Sequence, residues 1–279
     1  MIKPTLKDDA FLSDVAYARH ANDGLHLWWL GQSGYLIQWL GRHILVDPYL
    51  SDSLTEKYAA SDRPHDRMSE RVIDPVRLVF IDLVTASHVH TDHLDGGTLI
   101  PLQRGNFDLR LLAPRAILRE AEQRFAGELD FPMDDGTVAH LDEIAIHAVP
   151  AAHDRIERDE FGCMRCLGYV FEFGGLAIYH SGDTVRNDDV VERLRRFDID
   201  LALLPINGKL GNLSGVECAR FAKEIGAKLV IPCHYDMFEF NTADPREQFI
   251  PECERIGQPY RVLKLGERFT LNSQNPPGR

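Results

Sequence analysis

Apolar residues along this chain come in short bursts, and the bursts fall into two similar sets. The first set is Leu25-His26-Leu27-Trp28-Trp29-Leu30, Gly34-Tyr35-Leu36-Ile37-Gln38-Trp39 and His43-Ile44-Leu45-Val46-Asp47, punctuated by Gly31, Gly34 and Gly41. Such runs predict a meander of strands joined by tight turns. The polar stretch from Ser51 to Glu70 predicts a surface loop with one helical turn. Val79-Phe80-Ile81-Asp82-Leu83-Val84 predicts a buried strand, and Leu109-Arg110-Leu111-Leu112 another. Ile117, Leu118, Ala121 and Phe125 then recur at helical spacing behind Pro114, a suitable first-turn residue.

The second set repeats this grammar. Strands are expected at Ile144 to Val149, Leu167 to Phe171, Leu176 to Tyr179, Leu201 to Leu204, Leu229 to Ile231 and Val262 to Leu265. Val190, Val191, Leu194 and Phe197 form one helical stripe. Val216, Ala219, Phe221, Ala222 and Ile225 form another, with Ser214 as N-cap and Gly226 as its stop. Asp244-Pro245 predicts a further cap and first turn, with Pro251 cutting that helix short. No Pro/Ser-rich linker separates the halves. The pattern predicts an α/β fold (α+β in some schemes), a single domain over residues 1–279 with two similar halves, sheets inside and helices outside. At 44% hydrophobic residues the chain can fill a large core.

The chemistry concentrates in His88-Val89-His90-Thr91-Asp92-His93, directly after a predicted strand. On a turn leaving a strand end, alternate residues point into one space. Two imidazoles can then reach one metal ion, while Asp92 and His93 turn toward a second. Imidazole and carboxylate together suit Zn²⁺, Mn²⁺ or Fe²⁺. Three more ligand-type residues follow apolar runs: His153 after Val149-Pro150-Ala151-Ala152, Asp183 after Tyr179-His180-Ser181-Gly182, and His234 after Ile231-Pro232-Cys233. Strand ends are where α/β architectures carry functional side chains.

The order HxHxDH, His, Asp, His resembles the metallo-β-lactamase superfamily over nearly the whole chain. A closer likeness is to the branch containing the L-ascorbate 6-phosphate lactonases. It rests on Trp29-Leu30-Gly31-Gln32-Ser33-Gly34, Asp47-Pro48-Tyr49-Leu50-Ser51-Asp52-Ser53, His180-Ser181-Gly182-Asp183-Thr184 and Ile231-Pro232-Cys233-His234-Tyr235-Asp236. The resemblance implies a four-layered αβ/βα sandwich with a metal site at one edge between the sheets. It implies two divalent ions, Zn or Mn, the branch being associated with Mn. His88, His90 and His153 would hold one, Asp92, His93 and His234 the other, with Asp183 bridging and Asp47 as a supporting acid. Lactonases of that branch are longer, so substrate-shaping segments are expected to be missing here.

The implied reaction is hydrolysis of a small polar ester, lactone or phosphoester by hydroxide that the metal generates near neutral pH. Asp92 would steer the hydroxide and pass a proton to the leaving group. Asp47 and Asp154 would orient the ligands. His180, Asn207 and Tyr235 are weaker candidates for contacts behind the ligands or with substrate. Arg155, Arg158 and Lys209 are candidates for holding an anionic group. Two rivals stay open: a phosphodiesterase or nuclease of the same superfamily, and a metal-binding member without turnover.

Charge narrows the partners. A formal net charge of -12 argues against gripping nucleic acid or an anionic membrane, leaving a small-molecule substrate. That substrate can still be anionic, because divalent cations reverse the potential locally. The first nine residues hold no apolar signal core, and no apolar run approaches a membrane span. Five cysteines, an odd number, suggest reduced thiols and a cytoplasmic setting. Cys163-Met164-Arg165-Cys166 lacks the second pair of a zinc ribbon and reads as two ordinary thiols. Trp28, Trp29 and Trp39 read as core aromatics, and His20, His26, His43, His65, His140 and His147 as unrelated to the site. Self-association is expected only because homo-oligomers are common.

Overall fold

The computed structural model describes residues 1–21, 24–129 and 131–272. Its first half runs α1 (Asp8–Ala21), β1 (Leu25–Gly31), β2 (Gly34–Trp39), β3 (Arg42–Val46), α2 (Ser53–Tyr58), β4 (Leu83–Thr85), α3 (Gly96–Gly105), β5 (Arg110–Leu112) and α4 (Leu118–Phe125). The second half runs β6 (Val138–Leu141), β7 (Ile144–Pro150), β8 (Leu167–Phe173), β9 (Leu176–His180), α5 (Asp188–Leu194), β10 (Leu201–Pro205), α6 (Gly215–Glu224), β11 (Leu229–Cys233), α7 (Phe249–Ile256) and β12 (Arg268–Leu271).

These strands form two six-stranded sheets, ordered β12-β1-β2-β3-β4-β5 and β11-β10-β9-β8-β7-β6. Each sheet begins as an antiparallel meander and ends as parallel strands: β1 to β3 then β4 and β5, and β6 to β9 then β10 and β11. Parallel neighbours need crossovers, which α3, α5 and α6 supply. The fold is a mixed α/β sandwich, as the alternation of bursts and stripes predicts.

Strand direction is what builds the site. Because β2 reverses between β1 and β3, those two run the same way, and β4 is parallel to β3. Likewise β8 reverses between β7 and β9, and β10 and β11 are parallel to β9. The segments after β1, β3 and β4 therefore leave the first sheet at one edge, and those after β7, β9, β10 and β11 leave the second at one edge. Strands β4, β9, β10 and β11 are buried along their whole length, which explains their uninterrupted apolar sequences. One cluster of buried residues draws on both sheets, with Trp28, Trp29, Tyr35, Tyr169, Phe171 and Tyr179 among its largest members. Helix α6 starts in a full capping box between Ser214 and Glu217, and Gly226 follows its end at φ +77°.

Three expectations need correction. The strand predicted over Val79 to Val84 is confined to Leu83–Thr85, and Val79 is exposed. Asn106 is the reason: its side chain accepts from the Ile81 N–H and donates to the Leu78 carbonyl, groups that a strand would give to a neighbour. Val262 to Leu265 is not a strand either. That segment packs Leu263 and Leu265 into the core with irregular backbone, and the last strand is β12, paired with β1. The helix expected from Asp244-Pro245 begins only at Phe249, after a turn, and Pro251 does not cut it short; it is the third residue of α7, where a missing N–H costs nothing. Helices α1 and α3 and strand β6 were outside the expected set. Among the described residues no helix is long and apolar enough to cross a membrane.

Candidate metal centre

Four non-glycine residues at these strand ends have left-handed backbone: Gln32 (φ 51°), Asp47 (φ 42°), Asp154 (φ 65°) and His234 (φ 64°). Such conformations cost of order 1–3 kcal/mol each and persist where tertiary contacts over-determine them. Here they turn the chain inward, toward one cluster.

His88, His90, His153 and Asp183 offer ligand atoms that all lie within 4.8 Å of one another, and so do Asp92, His93 and His234. Asp183 reaches both groups. Its Oδ2 is 3.9 Å from His153 Nε2, and its Oδ1 is 3.2 Å from His93 Nε2 and 3.5 Å from His234 Nε2. His88 Nε2, His93 Nε2 and Asp183 Oδ1 are buried and take no hydrogen bond. His93 Nε2 and Asp183 Oδ1 at least face each other as an ion pair, whereas His88 Nε2 has no such contact, and a buried polar atom left in that state calls for a partner that the protein does not itself supply.

The local field has the sign that a cation requires. Burial works against His93 charging, yet Asp183, Asp92 and Asp47 hold its pKa well above the ordinary value. His234 is pushed up to about 9 by Asp183 and Asp92 against the same burial penalty. Burial also opposes ionisation of Asp92 and Asp183, but His93 beside them holds both carboxyls below the usual range. His88, with no carboxylate as close, is lowered by burial and by His93. The carboxylates thus draw positive charge into the cluster as protons on His93 and His234; a divalent ion would take the place of those protons and leave the neutral imidazole and carboxylate donors that suit it.

Behind the cluster, Asp47 is fully buried and accepts from His93 Nδ1 at 2.6 Å and from the Ser87 N–H at 2.8 Å, with the Ser87 hydroxyl donating to it as well. Gln32 donates from Nε2 to Asp92 Oδ2 at 2.8 Å and lies 3.0 Å from His234 Nε2. Its carbonyl also accepts from the His234 N–H. Arg124, on α4, donates to the carbonyls of Val89 and Leu94 and so pins the turn that carries His88 to His93. Gly211 lies against His153: a Cβ there would come within 2.1 Å of Nδ1. Gln32, Ser87, Arg124 and Gly211 carried no assigned role in the sequence. Gln32 and Gly211 lie in glycine-broken turns and Ser87 just after a strand, while Arg124, on α4, had no local signal at all.

Four weaker candidates have the following surroundings. His180 is fully buried, facing the Ser33 carbonyl at 2.8 Å through Nε2 and accepting from the Gly182 N–H at Nδ1, so it ties two strand-end turns together. Tyr235 stacks on Trp29 with centroids 4.3 Å apart and donates to the Leu263 carbonyl, pointing into the core. Asn207 is buried, donating to Asn241 Oδ1 at 2.8 Å. Asp154 is exposed and lines the cavity, but among the described residues it bonds to no ligand side chain. Cys163 and Cys166 are free thiols, and burial pushes Cys166 up to about 12.

The cluster opens into a cavity of about 840 Å³ whose lining includes His90, Asp92, His153, Asp183 and His234. The family description "Beta-lactamase superfamily domain" matches residues 26–234, from β1 to the last histidine of the cluster. The chain belongs to the beta-lactamase superfamily. A protein of Pyrococcus furiosus described as a UPF0173 metal-dependent hydrolase is 29% identical over 245 residues, covering 87% of this chain and 97% of the relative. Among solved structures, a metallo hydrolase of Ignicoccus hospitalis superposes with a TM-score of 0.67 at 24% identity, covering 89% of this chain and 98% of that one. The isothiocyanate hydrolase from Delia radicum gut bacteria gives 0.70 at 19% identity, covering 89% and 99%. At these identities the two structures speak for the superfamily's fold alone.

Proposed function

We propose that this superfamily member is a metal-dependent hydrolase of carboxylic esters or lactones. The observation that carries the reading is the meeting of seven His/Asp ligand atoms in two groups, the atoms of each within 4.8 Å of one another, with His88 Nε2 buried and without a hydrogen bond among them. The description of the Pyrococcus relative as a metal-dependent hydrolase supports it.

In this reading His88, His90 and His153 hold one divalent ion, Asp92, His93 and His234 a second, and Asp183 lies between them; Zn or Mn suits the donors. Such an ion lowers the pKa of water from roughly 15.7 to about 7 and polarises a substrate oxygen. Asp92 has one carboxylate oxygen held by Gln32 and lines the cavity, so its other oxygen is placed to take a proton from water and deliver it to the leaving oxygen. Asp47 and Ser87 hold His93 in the orientation that turns Nε2 inward. Both sheets contribute ligands, so we take residues 1–279 as one working domain. The free thiols support a reducing, cytoplasmic setting.

The cations around the cavity favour an acyl substrate over a phosphoester. Arg124 is committed to two carbonyls, and Arg155 pairs with Glu157 at 2.9 Å. Lys57 is exposed, 5.0 Å from the centroid of the Tyr58 ring. Arg155 is thus engaged by a carboxylate, and Arg124 spends Nη1 on the turn rather than on the cavity, which weakens the bidentate grip that a phosphate rewards. The test is a panel of lactones, carboxylic esters and a generic phosphodiester on Zn- and Mn-loaded protein. Turnover of the first two classes is expected; turnover of the phosphodiester alone would favour the nuclease reading. Full activity of an Asp92→Ala variant would remove the proposed proton route.

A further inference from the structure

The cavity is two-faced. Its floor is the His/Asp cluster, and one wall is apolar: Leu54, Tyr58, His65, Phe238 and Phe240, with Leu210 at the mouth. Tyr58 and His65 stack with centroids 4.2 Å apart, and His65 meets Phe240 edge-on at 4.5 Å and Phe238 at 5.3 Å. Thr55 Oγ1 donates to the His65 carbonyl at 2.6 Å, which fastens the 53–65 segment as a unit. Across the mouth, Lys209 donates from Nζ to the Phe240 carbonyl at 3.0 Å, so the loop carrying Leu210 is tied to the same wall.

Leu210 is conspicuous in two ways. It has left-handed backbone (φ 50°), which is rare and unfavourable for a bulky residue, and its side chain is 56% exposed. Neither strain nor an exposed isobutyl group favours folding. The loop holds it there by hydrogen bonds from the Gly208 N–H to the Leu213 carbonyl and from the Asn212 N–H to the Lys209 carbonyl. Leu40, in the β2–β3 turn, shares both features (φ 46°, 63% exposed), so it is the place of Leu210 in the lining of the cavity that carries the argument.

Resting on the hydrolase reading, we propose that this wall is a subsite for a planar apolar group of the substrate, with Leu210 setting its width. The ester or lactone would then carry an aromatic or similarly flat hydrophobic substituent, seated on Tyr58 and Phe240 while its carbonyl faces the cluster. The cavity, at about 840 Å³, has room for a ligand of that size. Rings preferentially meet rings in offset or edge-on arrangements, and a substrate ring would extend the aromatic cluster that Tyr58, His65 and Phe240 already form along the cavity.

Hydroxamates separate this proposal from the reading beneath it, because they bind a metal centre without being hydrolysed. Calorimetric titration of the metal-loaded full chain with acetohydroxamate and benzohydroxamate reads the wall as a ratio of affinities. Benzohydroxamate is expected to bind roughly tenfold or more tightly, from the burial of one ring. Leu210→Gly, which also relieves the backbone strain and keeps the fold, and Phe240→Ala should each cut that ratio to within about threefold, with metal content retained. Equal affinities in the unmodified protein, or an undiminished ratio in both variants, would overturn the subsite while leaving the metal centre intact. Failure of both hydroxamates to bind would instead overturn the metal-centre reading and this proposal with it.

Discussion

Asp47 and His93 lie 46 positions apart and meet through a 2.6 Å hydrogen bond, Nδ1 of the histidine to Oδ2 of the aspartate, both side chains fully buried. That bond decides which nitrogen of His93 faces Asp183. Removing it with Asp47→Ala should weaken metal binding by roughly 10–100-fold, the usual cost of losing a partner that orients a ligand. Competition with a fluorescent chelator measures this directly, and an unchanged affinity would show that His93 is positioned some other way.

Gly211 tests the other side of the cluster. A methyl group at this position would come within 2.1 Å of His153 Nδ1, and the φ of +79° is one that alanine resists. Gly211→Ala should therefore cost at least about 1 kcal/mol of stability and displace His153. Elemental analysis beside a melting curve should show a lower Tm together with reduced metal content. A variant with full metal content would mean that the loop yields without moving the histidine.

Asp92 has a proposed role in proton transfer besides its place among the donors. Asp92→Asn, which keeps shape and removes the proton acceptor, should lower kcat by about 10²–10⁴. Steady-state kinetics at saturating metal is the measurement, and a fall of less than tenfold would assign the proton to another group.

The architecture was legible because each ligand-type residue follows an apolar burst, and the alternation of strand directions sends those ends to two facing edges. What the sequence hid depends on contacts between distant positions. Gln32 reaches Asp92 and His234, 60 and 202 positions away, and no local pattern announces that. Adjacency also misled. Tyr235 follows His234 directly, yet it points into the core against Trp29 while His234, on left-handed backbone, faces the cluster. His65 looked unrelated to the site and proved to line the cavity, since only tertiary packing brings the 53–65 segment beside Phe240. The strand predicted from Val79 failed for the same kind of reason, a side chain 25 positions away at Asn106 claiming the Ile81 N–H.

His43 offers a test remote from the metal centre. Burial lowers its pKa to about 4, with Asp82 opposing and Arg19 reinforcing the shift. Between pH 6.5 and 4 the unfolded chain binds this proton and the folded chain does not, so stability falls as pH drops through that window and levels off below it. The loss from this group is about 3 kcal/mol. Urea unfolding at pH 7 and at pH 4 should show His43→Leu losing less stability on acidification than the unmodified protein by about that amount. Identical pH dependence would mean that folding does not lower the pKa of His43.

The central claim is that His88, His90, Asp92, His93, His153, Asp183 and His234 together hold divalent ions. Anomalous diffraction from crystals of metal-loaded protein tests it most directly. Peaks are expected within the His88/His90/His153 group and within the Asp92/His93/His234 group, with Asp183 between them. A map with no peak inside this cluster, or with its only peak elsewhere in the molecule, would contradict the account.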